Sequence, residues 1–185
     1  MTNKIDKTSP GAWTVTASRT IIKDRWIDLR ADTCVTPQGV TLSPFYVLSY
    51  PEWVHIVCFD GDDRICMVRQ YRHGLGKVTL ELPGGAIDPG ETPLAGAQRE
   101  LLEETGIRAG GWRGLGAFGA NPATHTNRLH VFACRFEAQE ATRFDEGEDL
   151  VQGFYTLDEI RAAADSGELD HAMHLGAIAR AKGWL

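Results

Sequence analysis

GAIDPGETPLAGAQRELLEETGI, residues Gly85–Ile107, decides the reading of this chain. Glu100, Glu103 and Glu104 stand there at i, i+3 and i+4, within about a 100° arc on one face of a helix. Like charges at that spacing repel by roughly 0.2–0.5 kcal/mol per pair. A cation that neutralises the face explains such a cluster more simply than solvent alone. Hard divalent ions such as Mg²⁺ take oxygen ligands of this kind and commonly bind substrate phosphates as well.

The helix is well marked. Thr92 is placed to cap its start, Pro93 suits the first helical position, and Gly106 suits its end. Leu94, Ala97, Leu101 and Thr105 form a stripe expected to pack inward. Gly96 lies one turn before Glu100, where a side chain would crowd a bound metal. Arg99, four residues before Glu103, offsets part of the repulsion. Just upstream, Leu82-Pro83-Gly84-Gly85 reads as a tight loop whose glycines permit close backbone approach to a ligand.

At 185 residues with a net charge of −6, the chain is long enough for a sizeable core. Its charge argues against a broad nucleic-acid footprint. No apolar run approaches the roughly 20 residues of a membrane-spanning helix, and the polar start MTNKIDKTSPG lacks a signal-peptide core. The expectation is a cytoplasmic protein that binds neither nucleic acid nor membrane. Cys34, Cys58, Cys66 and Cys134 are widely spaced and read as buried reduced thiols. His171 and His174 read as a helix surface rather than a metal site. Gly74-Leu75-Gly76-Lys77 lacks the first glycine of a phosphate-binding loop.

Strands are expected over 12–22, 25–35 and 40–50, then at 53–59 and 64–71, joined by an Asp60-Gly61 turn. The glycine loop and the carboxylate helix at about 93–105 follow. Further strands fall near 112–119, 128–137 and 149–155, and helices at about 157–164 and 170–181. That order gives a mixed sheet with helices packed on it, preceded by a small antiparallel unit that needs a cover for its apolar face.

Residues 85–107 resemble the Nudix hydrolase signature: Gly85, Glu91, Arg99, Glu100, Leu101, Glu103, Glu104, Gly106 and Ile107 all match it. The resemblance extends over about residues 12–182 and is similar to the ADP-ribose pyrophosphatase group, through RWIDLRADTCVTPQG, MVRQYRHGLGKVTLELPGG, Pro122, FDEGEDLVQGFYTLDEI and GELDHAMHLGAI. It implies an α+β fold: a Nudix-type α/β/α sandwich with a mixed sheet in residues 51–185, plus an N-terminal antiparallel three-stranded sheet in residues 1–50 that serves dimerisation and substrate stacking. It implies that Gly84, Glu100, Glu103, Glu104 and Glu148 hold Mg²⁺, with Mn²⁺ a possible substitute. Glu146 would be the general base, with Glu103 or Glu104 as the alternative. Arg99 would support the catalytic face, and Arg72 would contact the diphosphate. Trp26 would stack on the base, often from the partner subunit of a homodimer, and Pro122 would border the substrate.

The residues themselves add Arg69, His73 and Lys77 beside Arg72 as a basic cluster suited to diphosphate recognition. One departure from the group lies in Asn121–Arg128, where Asn127 stands about where an acid is usual; a nucleoside diphosphate sugar other than ADP-ribose is therefore a second expectation. A nucleoside triphosphate hydrolase and a non-catalytic ADP-ribose sensor are the further alternatives.

Overall fold

The computed structural model describes residues 10–142 and 149–183. The chain folds as two compact units, Met1–Tyr50 with Asn121–Thr126, and Pro51–Ala120 with Asn127–Leu185.

The first unit is an antiparallel sheet in the order β1 (Thr14–Lys23), β2 (Asp28–Val35) and β3 (Thr41–Ser49). Thr124 and Thr126 are tied to it through Leu48, whose N–H donates to the Thr124 carbonyl (2.8 Å) and whose carbonyl accepts from the Thr126 N–H (3.0 Å). Large apolar side chains stay exposed here, among them Trp13, Val15, Ile22, Trp26, Val40 and Tyr46.

The second unit holds a six-stranded mixed sheet. Its elements are β4 (Trp53–Phe59), β5 (Ile65–Arg72), β6 (Lys77–Glu81), α1 (Pro93–Thr105), β7 (Ile107–Gly119), β8 (Arg128–Gln139), β9 (Val151–Tyr155), α2 (Leu157–Ser166) and α3 (Ala172–Ala181). The strand order is β6-β5-β4-β8-β7, with β9 added to β5. Only β4 and β8 pair in parallel among these ladders.

WVHIVCF of β4 is apolar nearly throughout because both its faces are covered. Val54, Ile56 and Cys58 pack with Ala97 and Leu101 of α1. Val57 and Phe59 pack with Ile160 of α2 and Ile178 of α3. Helices therefore cover both faces of the sheet, which is the expected sandwich. All four cysteines are buried and free, and no helix among the described residues is long and apolar enough to cross a membrane.

β6 was not expected: Lys77–Glu81 carried no assigned element, but it returns antiparallel to β5 after a turn at His73–Gly76. The inward stripe of α1 is also narrower. Ala97, Leu101 and Thr105 are buried, whereas Leu94 is 39% exposed at the first turn. The caps are as expected. Thr92 Oγ1 accepts from the Ala95 N–H (3.2 Å), and Gly106 sits at φ 67° with its N–H on the Leu102 carbonyl.

A Cβ on Gly106 would lie 2.2 Å from the Glu140 carbonyl oxygen, and that φ is itself costly for other residues. Gly106→Ala is expected to cost at least about 1–2 kcal/mol. Urea denaturation should show a lower midpoint with an unchanged slope.

Candidate active site

The loop Pro83–Gly85 runs alongside β4, with the Ile56 N–H on the Pro83 carbonyl and the Val54 N–H on the Gly85 carbonyl, both at 2.9 Å. At Gly84, with φ 152°, a Cβ would fall 2.0 Å from the Val54 carbonyl oxygen. At Gly85 it would fall 2.6 Å from Glu100 Oε1. A side chain at Gly84 would meet the β4 backbone, and one at Gly85 would displace the Glu100 carboxylate. The Gly84 N–H donates to Glu104 Oε2 at 2.9 Å, which holds a carboxylate that is only 4% exposed.

Glu100, Glu103 and Glu104 line one cleft with Gly84, Gly85 and Arg99. Arg72, His55, His171 and His174 also line it. The cleft has a volume of about 550 Å³. A second cavity of similar size, about 540 Å³, is lined by Leu115, Phe118, Leu129, Val131 and Ala177 and has neither a carboxylate nor an imidazole in its lining. Convergent titratable groups mark the first as the site of chemistry.

Arg99 is the internal counter-ion. Its Nε and Nη2 bond the two oxygens of Glu91 (3.1 and 3.0 Å), Nη1 bonds Glu100 Oε1 (2.9 Å) and Glu103 Oε2 (3.1 Å), and Nη2 also reaches the Ala86 carbonyl. Glu91, with Glu100 and Glu103, holds the guanidinium firmly in its charged form. Conversely, Arg99 keeps the Glu91 carboxyl below its usual range. Gly96 has a different role from the expected one. A Cβ there would lie 3.0 Å from Glu91 Oε2, so Gly96 makes room for the Glu91–Arg99 pair.

The hard oxygen donors of Glu100, Glu103 and Glu104, grouped beside a backbone cradle that admits no Cβ, fit a divalent cation such as Mg²⁺. Glu146 and Glu148 lie outside the described residues.

The structure divides the expected basic cluster. Successive residues of a strand point to opposite faces, so Arg72 reaches the cleft while Arg69 does not. Arg69 instead pairs with Glu168 (2.8 Å). Lys77 is held by Asp170 (2.6 Å) and the Gly167 carbonyl, and His73 is exposed in the β5–β6 turn. Arg72 forms a bidentate pair with Glu81, Nε to Oε1 at 2.9 Å and Nη2 to Oε2 at 2.6 Å. Trp26 and Pro122 belong to the first unit. Trp26 is 73% exposed at the β1–β2 turn, with the Arg25 guanidinium 4.3 Å from its ring. Asn127 is buried and donates to the Pro51 carbonyl (3.0 Å), a tie between backbone segments rather than a contact facing a ligand.

His174 corrects an expectation. It is 2% exposed, not on a helix surface, and its ring stacks on His55 with centroids 4.0 Å apart. His171 meets it edge-on at 4.7 Å. Burial, and then the neighbouring imidazoles, push the pKa of His55 well down, and His171 is lowered for the same reasons. The unfolded chain thus takes up protons near pH 6.5 that the folded His55 refuses, so stability rises with pH across that range. Between pH 7.5 and 5.5, His55 should cost at most about 1.4 kcal/mol of stability. Guanidinium denaturation at the two pH values should show this loss, and His55→Gln should reduce it.

The NUDIX domain model matches residues 50–174, and a model described as the nucleoside diphosphate sugar hydrolase N-terminal domain matches residues 13–48. Over 143 residues the chain is 32% identical to a methanol dehydrogenase activator of Bacillus methanolicus, covering 75% of this chain and 76% of that protein. Over 164 residues it is 29% identical to an ADP-ribose pyrophosphatase of Bacillus subtilis, covering 88% of each. A solved ADP compounds hydrolase superposes with a TM-score of 0.84 over 96% of each chain, at 24% identity, which speaks for the fold alone.

Proposed function

The chain belongs to the Nudix family of hydrolases, and within it we propose an enzyme that splits the diphosphate bridge of ADP-ribose or a related nucleoside diphosphate sugar. The observation that carries the proposal is the single cleft in which the α1 carboxylates, the Gly84–Gly85 backbone and Arg72 converge. The ADP-ribose pyrophosphatase of Bacillus subtilis, matched over 88% of its length, supports the substrate class. So does the match of residues 13–48 to a nucleoside diphosphate sugar hydrolase domain.

Glu100, Glu103 and Glu104, with the Gly84 carbonyl and Glu148, would hold the divalent ion. When bound, Mg²⁺ would offset diphosphate charge and lower the pKa of a water. Arg72 fixes the diphosphate with a planar donor edge. A glutamate takes the proton of the attacking water, Glu146 by resemblance, or Glu103 or Glu104 from within the cleft. The water oxygen bonds to one phosphorus and the bridging P–O bond breaks. Its oxygen leaves on the second phosphate, giving a nucleoside monophosphate and a sugar phosphate. Trp26 stacks on the base. The N-terminal sheet, with its exposed Trp13, Val15 and Tyr46, joins two copies into a homodimer, which sedimentation velocity tests: a monomer at micromolar concentration would contradict it.

Incubation with ADP-ribose, a panel of nucleotide sugars and nucleoside triphosphates tests the substrate. AMP and ribose 5-phosphate should form fastest from ADP-ribose, a chelator should abolish turnover, and Mg²⁺ or Mn²⁺ should restore it. Preference for a triphosphate would refute the substrate class. Binding without turnover would refute the enzyme. Glu103→Gln and Glu104→Gln should each lower kcat by about 10²–10⁴-fold in proteins with unchanged far-UV circular dichroism.

A further inference from the structure

Glu81 lies at the end of β6, only 2% exposed, and is not one of the α1 carboxylates. Three groups converge on it. Arg72 pairs with both its oxygens, the Thr79 hydroxyl donates to Oε1, and His174 Nε2 lies 3.2 Å from Oε2. Burial disfavours the charged carboxylate, but the contacts from Arg72, His174 and Thr79 outweigh it and hold Glu81 well below the usual carboxylate range.

With His171, whose ligand atom falls within 4.8 Å of theirs, Glu81 and His174 have the composition of a transition-metal site. The hydrogen bonds favour another role. His174 Nδ1 accepts the Leu82 N–H at 3.2 Å, so in the neutral ring the proton sits on Nε2. A nitrogen that carries its proton offers no lone pair to a metal. That N–H faces Glu81, whose two oxygens already receive Arg72 and Thr79. Arg72 and Thr79 are committed to the carboxylate, and His174 Nε2 lies 3.2 Å from Oε2 with no other polar partner among the described residues, short of an aligned hydrogen bond.

We propose that the buried Glu81, braced by Thr79 and His174, is a positioning residue that fixes the plane and direction of the Arg72 guanidinium for a substrate diphosphate. The proposal rests on the function assigned above and adds the residues that set its specificity for a diphosphate. Arg72 stands at the last position of β5, with 45% of its side chain exposed, where a long side chain would otherwise sample many rotamers. A carboxylate gripping Nε and Nη2 removes that freedom before substrate arrives, and preorganisation of this kind appears as affinity. The brace joins β6 to α3, because His174 bonds the backbone of Leu82 at one nitrogen and faces Glu81 with the other.

The test uses the full chain with two readouts. The first is the Arg72 Nε–Hε signal in ¹⁵N-labelled protein without substrate, assigned by its disappearance in Arg72→Lys. It should be resolved and slow to exchange in the wild type, collapse to a solvent-exposed position in Glu81→Gln and in His174→Asn, and survive in His174→Gln. Asparagine can replace only the acceptor toward Leu82, whereas glutamine places an amide donor toward Glu81. The second is steady-state kinetics on the best diphosphate substrate. Glu81→Gln should raise KM about 10- to 100-fold with kcat within about 3-fold, and should have little further effect in an Arg72→Lys background. An Hε signal unmoved by Glu81→Gln would overturn the proposal. So would an equal KM penalty in the Arg72→Lys background, or stoichiometric Zn²⁺ binding that His171→Ala abolishes. If the wild type hydrolyses no diphosphate in the panel, the assigned function fails, and the Hε signal alone still decides whether Glu81 fixes Arg72.

Discussion

The catalytic unit depends on how closely the backbone at Gly84 and Gly85 approaches its neighbours. On one side the loop completes the edge of β4 through the Val54 and Ile56 N–H groups. On the other it touches Glu100 and donates to Glu104. One short segment thus fixes the separation of the sheet and α1. A methyl group at Gly84 would meet the β4 backbone, and one at Gly85 a carboxylate. The face of α1 is therefore built against a backbone wall, and its geometry is inherited from the sheet.

That face stores electrostatic tension. Three carboxylates at helical neighbour spacing repel, and Glu104 is almost fully withdrawn from solvent. Arg99 holds the arrangement by bonding Glu91, Glu100 and Glu103 together. A replacement chosen for stability alone would remove some of these charges. Their grouping agrees with the divalent-ion site proposed above, and Arg99 offsets part of the repulsion within the protein itself.

The sequence made α1 readable because every local signal agreed: cap, proline, periodicity and terminal glycine all fall in one window. β4 was readable as a continuous apolar run. β6 escaped although KVTLE alternates, because five residues between a glycine turn and a glycine loop are too short a run to stand out as a strand. Arg69 and Arg72 could have been separated by strand parity, a signal that was present but outweighed by the appeal of a basic cluster. The histidine group was out of reach. His55 and His174 come together only because β4 packs against α3, and nothing near either residue announces the other. Leu94 had the right spacing for the core but lies in the first turn of α1 and stays 39% exposed.

The parallel pairing of β4 with β8 bears on how the molecule assembles. Trp53 sits opposite Leu129 and Phe59 opposite Arg135, so the central ladder joins strands far apart along the chain. The hairpin β5–β6 and the antiparallel β7–β8 pair can form from local sequence, but this ladder has to close a long loop before its contacts contribute. His55, on β4, cannot meet His174 until that strand is seated, nor can Gly84 find Val54. The cleft thus depends on the long-range ladder, and a chain holding only its helices and local hairpins would lack it.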